Sequence, residues 1–449
     1  MVSMIGRWAF LAAVAVSLSF GQQPLRLSLQ RALQWAVERN TELQLARLEI
    51  ERADARVQEA VGTALPSVGV AANFTRNLLL PVFFLPDFRN PQSGQLQAVK
   101  IGSENAFQLQ LQATQVLFSQ AVLTGIGASQ VYAQAARQQY RATLARTIAE
   151  VKKAFYAALL ARELWQAAQA SLRRAERFAE DAQVLASQGL VADYDALRAR
   201  VQLEQVRTLV AQAELGYTAA LRQLKLLVGV PQEQDIELEG SLEAEYRPEE
   251  LPEAETLVRQ ALQRNPQLQA LQLQEVLQRD VVRLYRAESY PTLVGFGTYV
   301  YQGQSPTLSN FLTARSMAVG IQLSVSLFQG LQTKARVEQA EIEQHKVQQQ
   351  LEQFREGLKV QVLLALQRQQ LARQRLEVAR STIAQAERGY EIARTRYSEG
   401  LGSQLEITDA DATIRQAQSA YAQALHDYLA AQADLEYLTG SVDLAQFGS

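Results

Sequence analysis

Ser316-Met317-Ala318-Val319-Gly320-Ile321-Gln322-Leu323-Ser324-Val325-Ser326-Leu327-Phe328 alternates without a break. Met317, Val319, Ile321, Leu323, Val325 and Leu327 fall on one face; Ser316, Ala318, Gly320, Gln322, Ser324 and Ser326 fall on the other. Successive side chains of a strand point to opposite sides, so a period of two marks a strand with one apolar face. The opposite face is small or polar and carries no charge. Alternation over about ten residues is the pattern of a transmembrane β-barrel strand. A half-buried strand of a soluble sandwich has the same period, so the rest of the chain must decide.

Ala106 to Leu117 repeats the pattern, with Phe107, Leu109, Leu111 and Ala113 opposing Gln108, Gln110, Gln112 and Thr114. Val68, Val70, Ala72 and Phe74 give a weaker third case. Val294, Phe296, Thr298 and Val300 give a fourth, with Tyr299 and Tyr301 as interface aromatics. Strands are therefore expected at about 67–77, 105–118, 292–302 and 316–328. Two hairpins separated by a long helical stretch do not make a sandwich. Nor do four strands close a barrel, since the smallest have about eight. An open edge in hydrocarbon leaves N–H and C=O groups unpaired, at several kcal/mol each. If the strands span a membrane, at least one further copy must complete them; three copies would supply twelve strands, enough for a channel.

The strands sit inside an internal repeat. Arg39-Asn40-Thr41-Glu42-Leu43 returns as Arg264-Asn265-Pro266-Gln267-Leu268, and Leu65-Pro66-Ser67-Val68 as Tyr290-Pro291-Thr292-Leu293, both at an offset of 225. Ser187-Gln188-Gly189-Leu190 returns as Ser398-Glu399-Gly400-Leu401, and Leu227-Val228-Gly229 as Leu438-Thr439-Gly440, both at 211. The first copy therefore carries a longer insert between its strands. Each copy reads as two short helices meeting at Asn40 or Asn265, a stop before Pro66 or Pro291, two strands, a very long helix, a Gly turn and a returning helix. The division is 1–21 signal peptide, 22–229 first repeat with its hairpin tip near 189, 230–255 linker, 256–440 second repeat with its tip near 400, and 441–449 tail. The insert from Leu78 to Glu104 is expected as an extracellular loop. Its apolar stretch Leu78 to Leu85 either extends a barrel or lids its mouth.

The helices carry coiled-coil seams. Ala196, Ala199, Leu203, Val206, Val210, Ala213, Tyr217, Ala220, Leu224 and Leu227 are spaced 3,4,3,4, and the second copy matches from Ile407 to Leu438. A sustained 3.5-residue repeat imposes left-handed supercoiling. The outgoing helices, roughly Leu123 to Ala186 and Gln332 to Tyr397, would each span about 95–100 Å. A hairpin that long has no globular core, so its other apolar faces must meet neighbouring helices.

Composition narrows the function. Arg7 precedes an apolar run from Trp8 to Phe20, shorter than the ~20 residues of a spanning helix and followed by small residues. This is the expected signal peptide. The chain has no Cys and two His, which excludes disulfide staples, thiolate metal sites and a lipid anchor on Cys. His345 and His426 lie on heptad helices without neighbouring ligands. Gly295 and Gly297 sit in a strand with no phosphate-binding context. The net charge of -2 offers no footprint for nucleic acid. No cofactor, no metal site and no catalytic constellation is expected.

The duplicated order of helix, Pro, two strands, long helix, Gly turn and returning helix resembles the TolC family of outer-membrane efflux proteins across the mature chain. The turns are similar too: Gly189-Leu190-Val191-Ala192-Asp193-Tyr194-Asp195 and Arg396-Tyr397-Ser398-Glu399-Gly400. The resemblance implies an α+β membrane protein, a homotrimer whose four strands per subunit complete a transmembrane β-barrel in outer-membrane lipid above a long α-helical coiled-coil tunnel. It implies an exit duct for efflux of small molecules or type I secretion, working with an inner-membrane transporter and a periplasmic adaptor (membrane fusion) protein. Gly189, Leu190, Gly400 and Leu401 would form the adaptor-docking tips. Asp195, Tyr397, Glu406 and Asp409 fall where the family places its periplasmic aperture. Threefold symmetry would turn the carboxylates of Glu406 and Asp409 into rings that attract cations. Carboxylates in a first helical turn also simply suit the helix dipole. Asp195 matches Glu406 and adds either a second ring or a hydrogen bond to Tyr397. Where some members carry an Arg after the second turn, this chain has Gly402. A periplasmic adaptor or a coiled-coil spacer is the competing reading; it leaves the strands unexplained.

Overall fold

A computed structural model describes residues 25–86, 96–248 and 252–442. The expected signal peptide, part of the insert, part of the linker and most of the tail lie outside them. In the first copy the elements are β1 (Leu25–Leu27), α1 (Leu29–Arg39), α2 (Thr41–Gly62), β2 (Ser67–Arg76), β3 (Val82–Pro86), β4 (Leu96–Lys100), β5 (Asn105–Ser119), α3 (Gln120–Ser187) and α4 (Asp193–Val228). Next come β6 (Ile236–Leu238) and α5 (Leu242–Glu245), then α6 (Ala254–Arg264), α7 (Pro266–Ala287), β7 (Thr292–Ser305), β8 (Leu312–Ser324), α8 (Gln332–Ser398) and α9 (Gln404–Thr439). The chain divides into two units. One holds residues 1–44, 144–261 and 360–449; the other holds 45–143 and 262–359.

The second unit contains a four-stranded antiparallel sheet in the order β2-β5-β7-β8. Residues opposite one another in an antiparallel pair share a face. Val70, Leu111, Tyr299 and Met317 therefore line up on one side, as do Val68, Ala113, Gly297 and Val319. The other side carries Gln110, Val300 and Ser316 in one row and Gln112, Thr298 and Ala318 in the next. The apolar side is open: Val68, Val70, Met317, Val319 and Ile321 are all exposed in the single chain.

This register corrects the sequence reading of β7. Val294, Phe296, Thr298 and Val300 lie on the glutamine side, and the apolar side receives Gly295, Gly297, Tyr299 and Tyr301. Cross-strand packing explains the inversion. Phe296 lies over Gly320, where an added Cβ would come within 2.8 Å of its ring, and Phe107 covers Gly303 in the same manner. An aromatic ring over a strand glycine fills the space left by the missing side chain. A second difference concerns β8, expected at about 316–328. It starts at Leu312 and ends at Ser324, because Ser324 pairs with Thr292, the first residue after Pro291. Val325 to Phe328 have no strand left to pair with. The insert of the first copy forms a two-stranded ribbon, β3 against β4.

The first unit is built on helix ends. Asn40 separates α1 from α2; its Oδ1 accepts from the amides of Glu42 (2.9 Å) and Leu43 (3.3 Å), and its Nδ2 donates to the Leu227 carbonyl (2.8 Å). At Gly229, with φ +74°, an added Cβ would lie 2.8 Å from the Arg39 carbonyl, so only glycine lets α4 end against α1. The segment between the copies is not featureless. β6 pairs in parallel with β1, the Arg162 guanidinium donates to the Leu238 carbonyl at 2.6 Å, and the Tyr421 hydroxyl donates to Glu243 at 3.1 Å. Both copies thus pack this segment against α3 and α9.

Candidate functional site

Both hairpins of the first unit turn on the same backbone device. Gly189 (φ +73°) and Gly400 (φ +74°) follow the last helical residues. The Leu190 amide donates to the Leu185 carbonyl at 3.0 Å, and the Leu401 amide to the Arg396 carbonyl at 2.8 Å. These are Schellman closures, which satisfy the carbonyls a helix end leaves free. Such closures usually bury the residue after the glycine against the last turn. Here Leu190 and Leu401 are 68% and 69% exposed, so neither packs its hairpin end.

Around the second tip, Ser403 caps α9, its Oγ accepting from the Glu406 amide at 3.4 Å. The Glu406 carboxylate lies 3.5 Å from the same hydroxyl and 3.9 Å from Arg396 Nε. Arg396 also donates to the Leu401 carbonyl at 3.2 Å. Gly402 is tightly enclosed: an added Cβ would stand 3.0 Å from the Tyr397 amide nitrogen and 3.1 Å from Arg396 Cβ. Glu406 and Asp409 open with Arg396 onto a groove of about 530 Å³ between α8 and α9, floored by Ala386, Gly389, Ala393 and Ala410.

Tyr397 points elsewhere. It is buried with Ala393 and Ile407, and its ring meets Phe178 of α3 edge-on at 5.2 Å. Its hydroxyl has no hydrogen-bond partner among the described residues, so of the two alternatives for Asp195, a second ring or a hydrogen bond accepted from Tyr397, the bond is not formed. Burial, and secondarily the Asp195 charge, raise the phenol above the ordinary tyrosine range. The four residues expected at an aperture therefore separate: Glu406 and Asp409 lie on the groove, Tyr397 lies at the contact between the hairpins, and Asp195 is near enough for its charge to act on the Tyr397 phenol.

Sequence reading missed the most heavily bonded group of this region. Asp411 is 13% exposed. Its Oδ2 accepts from Ser171 Oγ at 2.7 Å and from Arg415, and its Oδ1 accepts from Arg174 Nε at 2.5 Å. Arg415 also donates to Ser171 Oγ at 2.9 Å. Arg174 lies over the Tyr390 ring at 5.7 Å. Burial, and next the Asp411 charge, raise the Tyr390 phenol. The available signal was Asp411 and Arg415 at i,i+4 beside the seam residues Ala410 and Ile414. It says nothing of partners on α3.

The model of the outer membrane efflux protein family matches residues 32–230 and 257–441. Protein CyaE of Bordetella pertussis is 30% identical over 284 residues, which is 63% of this chain and 60% of that protein. Outer membrane protein TolC of Salmonella enteritidis is 23% identical over 426 residues, 93% of this chain and 82% of that protein. Among solved structures, the CmeC outer membrane channel of Campylobacter jejuni superposes with a TM-score of 0.75 at 18% identity, covering 92% of this chain and 85% of that one. The open-state MtrE outer membrane channel of Neisseria gonorrhoeae gives 0.73 at 20% identity, covering 92% and 88%. These two likenesses establish the fold. With both repeats matched nearly end to end, the chain belongs to the outer membrane efflux protein family, whose members are channel proteins of the outer membrane and not enzymes.

Proposed function

We propose that three copies of this chain form a passive duct through the outer membrane and the periplasm, through which an inner-membrane transporter and a periplasmic adaptor discharge small molecules or polypeptides. The observation that carries this reading is the sheet β2-β5-β7-β8, open at both edges and apolar over one face. Its strands alternate in direction, so β8 of one copy meets β2 of the next antiparallel, as a closed barrel requires. Three such sheets make the twelve strands of the barrel, with Leu109, Leu111, Ile321 and Leu323 toward lipid and Gln110, Gln112 and Gln322 toward the lumen.

The helices support the same assembly. α3 packs on α4 through Ala179, Ala182 and Ala199, meets α9 through Asp411, and α9 packs on α8 through Ala386, Ile414 and Ala417. The order α4-α3-α9-α8 leaves α4 and α8 as edges. Both edges expose apolar residues at coiled-coil spacing, Tyr194, Leu197 and Val201 on one and Leu371, Val378 and Ile392 on the other. Covering these faces with the neighbouring copy closes a tunnel. Leu190 and Leu401 are then the knobs at its periplasmic end that an adaptor grips, beside the turns at Gly189 and Gly400. Glu406 and Asp409, with Asp195 and Tyr397, shape the aperture.

Val319→Arg against Ala318→Arg, adjacent positions at the middle of β8 on opposite faces, tests the reading in reconstituted membranes. An arginine on the lipid face near mid-bilayer costs about 2–4 kcal/mol, so Val319→Arg should impair insertion. Ala318→Arg should insert normally and alter conductance. The opposite result would put the faces the wrong way round, since a one-residue slip exchanges them.

A further inference from the structure

We propose that each seam between copies binds the phosphate groups of an anionic glycolipid headgroup at the extracellular rim of the barrel, through Arg76 and Arg315. The proposal rests on the reading of the sheet's apolar side as the side toward lipid. The strands β2, β5, β7 and β8 carry two charged residues between them, and these are the two arginines. Both fall on the apolar side. Arg315 shares a row with Ala72, Leu109 and Tyr301. Arg76 follows Phe74 on the same face of β2 and stands opposite Asn105. Each is exposed, and neither has a carboxylate partner among the described residues.

An arginine facing lipid is costly at mid-bilayer and nearly free at the headgroup boundary, so depth decides what these two can meet. The long helices α3 and α8 follow the other ends of β5 and β8, which puts the arginines at the end away from the periplasm. From Leu323 to Arg315, β8 climbs about 20 Å along the membrane normal, at ~3.4 Å per residue and a tilt of ~40°. An apolar band is about 25 Å tall, so Arg315 reaches its upper border. Arg76 lies beyond the row of Arg315, about 10 Å farther out, among headgroups.

Arg315 is also oriented. Its guanidinium lies over the Tyr301 ring at 5.6 Å, and that ring meets Phe107 at 5.5 Å. Stacking occupies the flat face of the guanidinium and leaves its edge N–H groups free, in the fork that binds phosphate oxygens in pairs. β2 and β8 are the two edges of the sheet. When β8 of one copy meets β2 of the next, Arg315 and the next copy's Arg76 come to one seam at the same end. The four strands contain no carboxylate to neutralise them. Glu104, just before β5, alternates onto the glutamine side with Ala106 and Gln108. The seam thus offers two cations above an apolar wall of Phe74, Leu109 and Tyr301. That arrangement fits a lipid with phosphates at its head and acyl chains beneath; a free phosphate would use only the cations.

The test uses the assembled full-length protein in phosphatidylcholine vesicles doped with bisphosphorylated lipid A. Lipid retained after extraction into neutral detergent is counted by native mass spectrometry. Wild type should retain lipid A at each seam, and dephosphorylated lipid A at least about tenfold less, since each arginine near a membrane surface adds its own attraction to anionic lipid. Arg76→Gln with Arg315→Gln should lower lipid A retention by a similar factor and leave the particle mass unchanged. Millimolar inorganic phosphate should not displace the lipid. Equal retention of the two lipid A forms by wild type overturns the proposal without recourse to any variant. So does a glutamine pair that retains lipid A like wild type. Full displacement by inorganic phosphate would make the site one for the free ion and overturn the lipid as its partner. If Val319→Arg inserts and Ala318→Arg does not, the facing of the sheet fails and the proposal with it; lipid retention tests the proposal alone.

Discussion

At the tip of the α3–α4 hairpin, Val191 packs against the cluster of Ala393, Tyr397 and Ile407; at the tip of α8–α9 the matching residue is Gly402, where an added Cβ would crowd the Tyr397 amide at 3.0 Å. The neighbouring pair differs as well. Ala192 begins α4 without a side-chain cap, whereas Ser403 caps α9 and engages Glu406. The turns themselves are the same, down to glycine φ values of +73° and +74°. Duplication has kept the backbone and divided the work. The first tip contributes an apolar side chain to the contact between hairpins. The second is tightened on itself by a serine cap and by Arg396, which presents Glu406 and Asp409 to a groove.

That division predicts unequal electrical roles, and this is the largest effect expected. Glu406→Ala with Asp409→Ala should remove most of the channel's cation preference, since rings of carboxylate at a narrow aperture attract cations. Asp195→Ala should change it far less. Single-channel reversal potentials measure both. Equal effects would mean that the tips contribute alike, and no effect from the pair would leave those residues as ordinary first-turn acids.

Making the second tip like the first should fail structurally. Gly402→Val forces a side chain against the Tyr397 amide and the Arg396 stem, and overpacking of this kind costs about 1–3 kcal/mol. Hydrogen exchange at the amides of Arg396 to Ile407 should accelerate accordingly. Exchange as slow as in wild type would show that the turn relaxes freely.

The caps give the smallest and most symmetrical comparison. Ser403→Ala should loosen the start of α9 by about 1 kcal/mol, while Ala192→Ser should tighten the start of α4 by about 0.5 kcal/mol. Opposite shifts in exchange at the two helix starts are expected. Shifts of one sign would mean that the uncapped first tip is satisfied by something other than a cap.

The features legible in the sequence are those that periodicity and glycine write directly. The alternation around Leu111 and Ile321, the seam through Ala199 and Ile414, and Gly189 and Gly400 at the turns each follow from a local rule. Facing in β7 was not legible, because Gly295 and Gly297 offer no apolar signal and the register is set across strands, by Phe296 over Gly320. The end of β8 was missed for the same reason: alternation continues to Leu327, but the partner strand stops at Thr292. At the tips, the sequence suggested carboxylates near the turns, yet Asp411 escaped notice. Its partners Ser171 and Arg174 lie far away in sequence, on a helix whose seam pattern shows the face toward α4 but not which residues meet α9.

In the proposed assembly this chain is one third of a closed structure, its sheet edges β2 and β8 and its helix edges α4 and α8 covered by further copies. The protein mass of the purified, detergent-solubilised particle, measured by light scattering with the detergent contribution removed, decides whether it is. Three times the mass of the mature chain is the expected result. A stable monomer would contradict the claim outright, because the edges would then stand open in the membrane, and a dimer or tetramer would contradict the threefold closure.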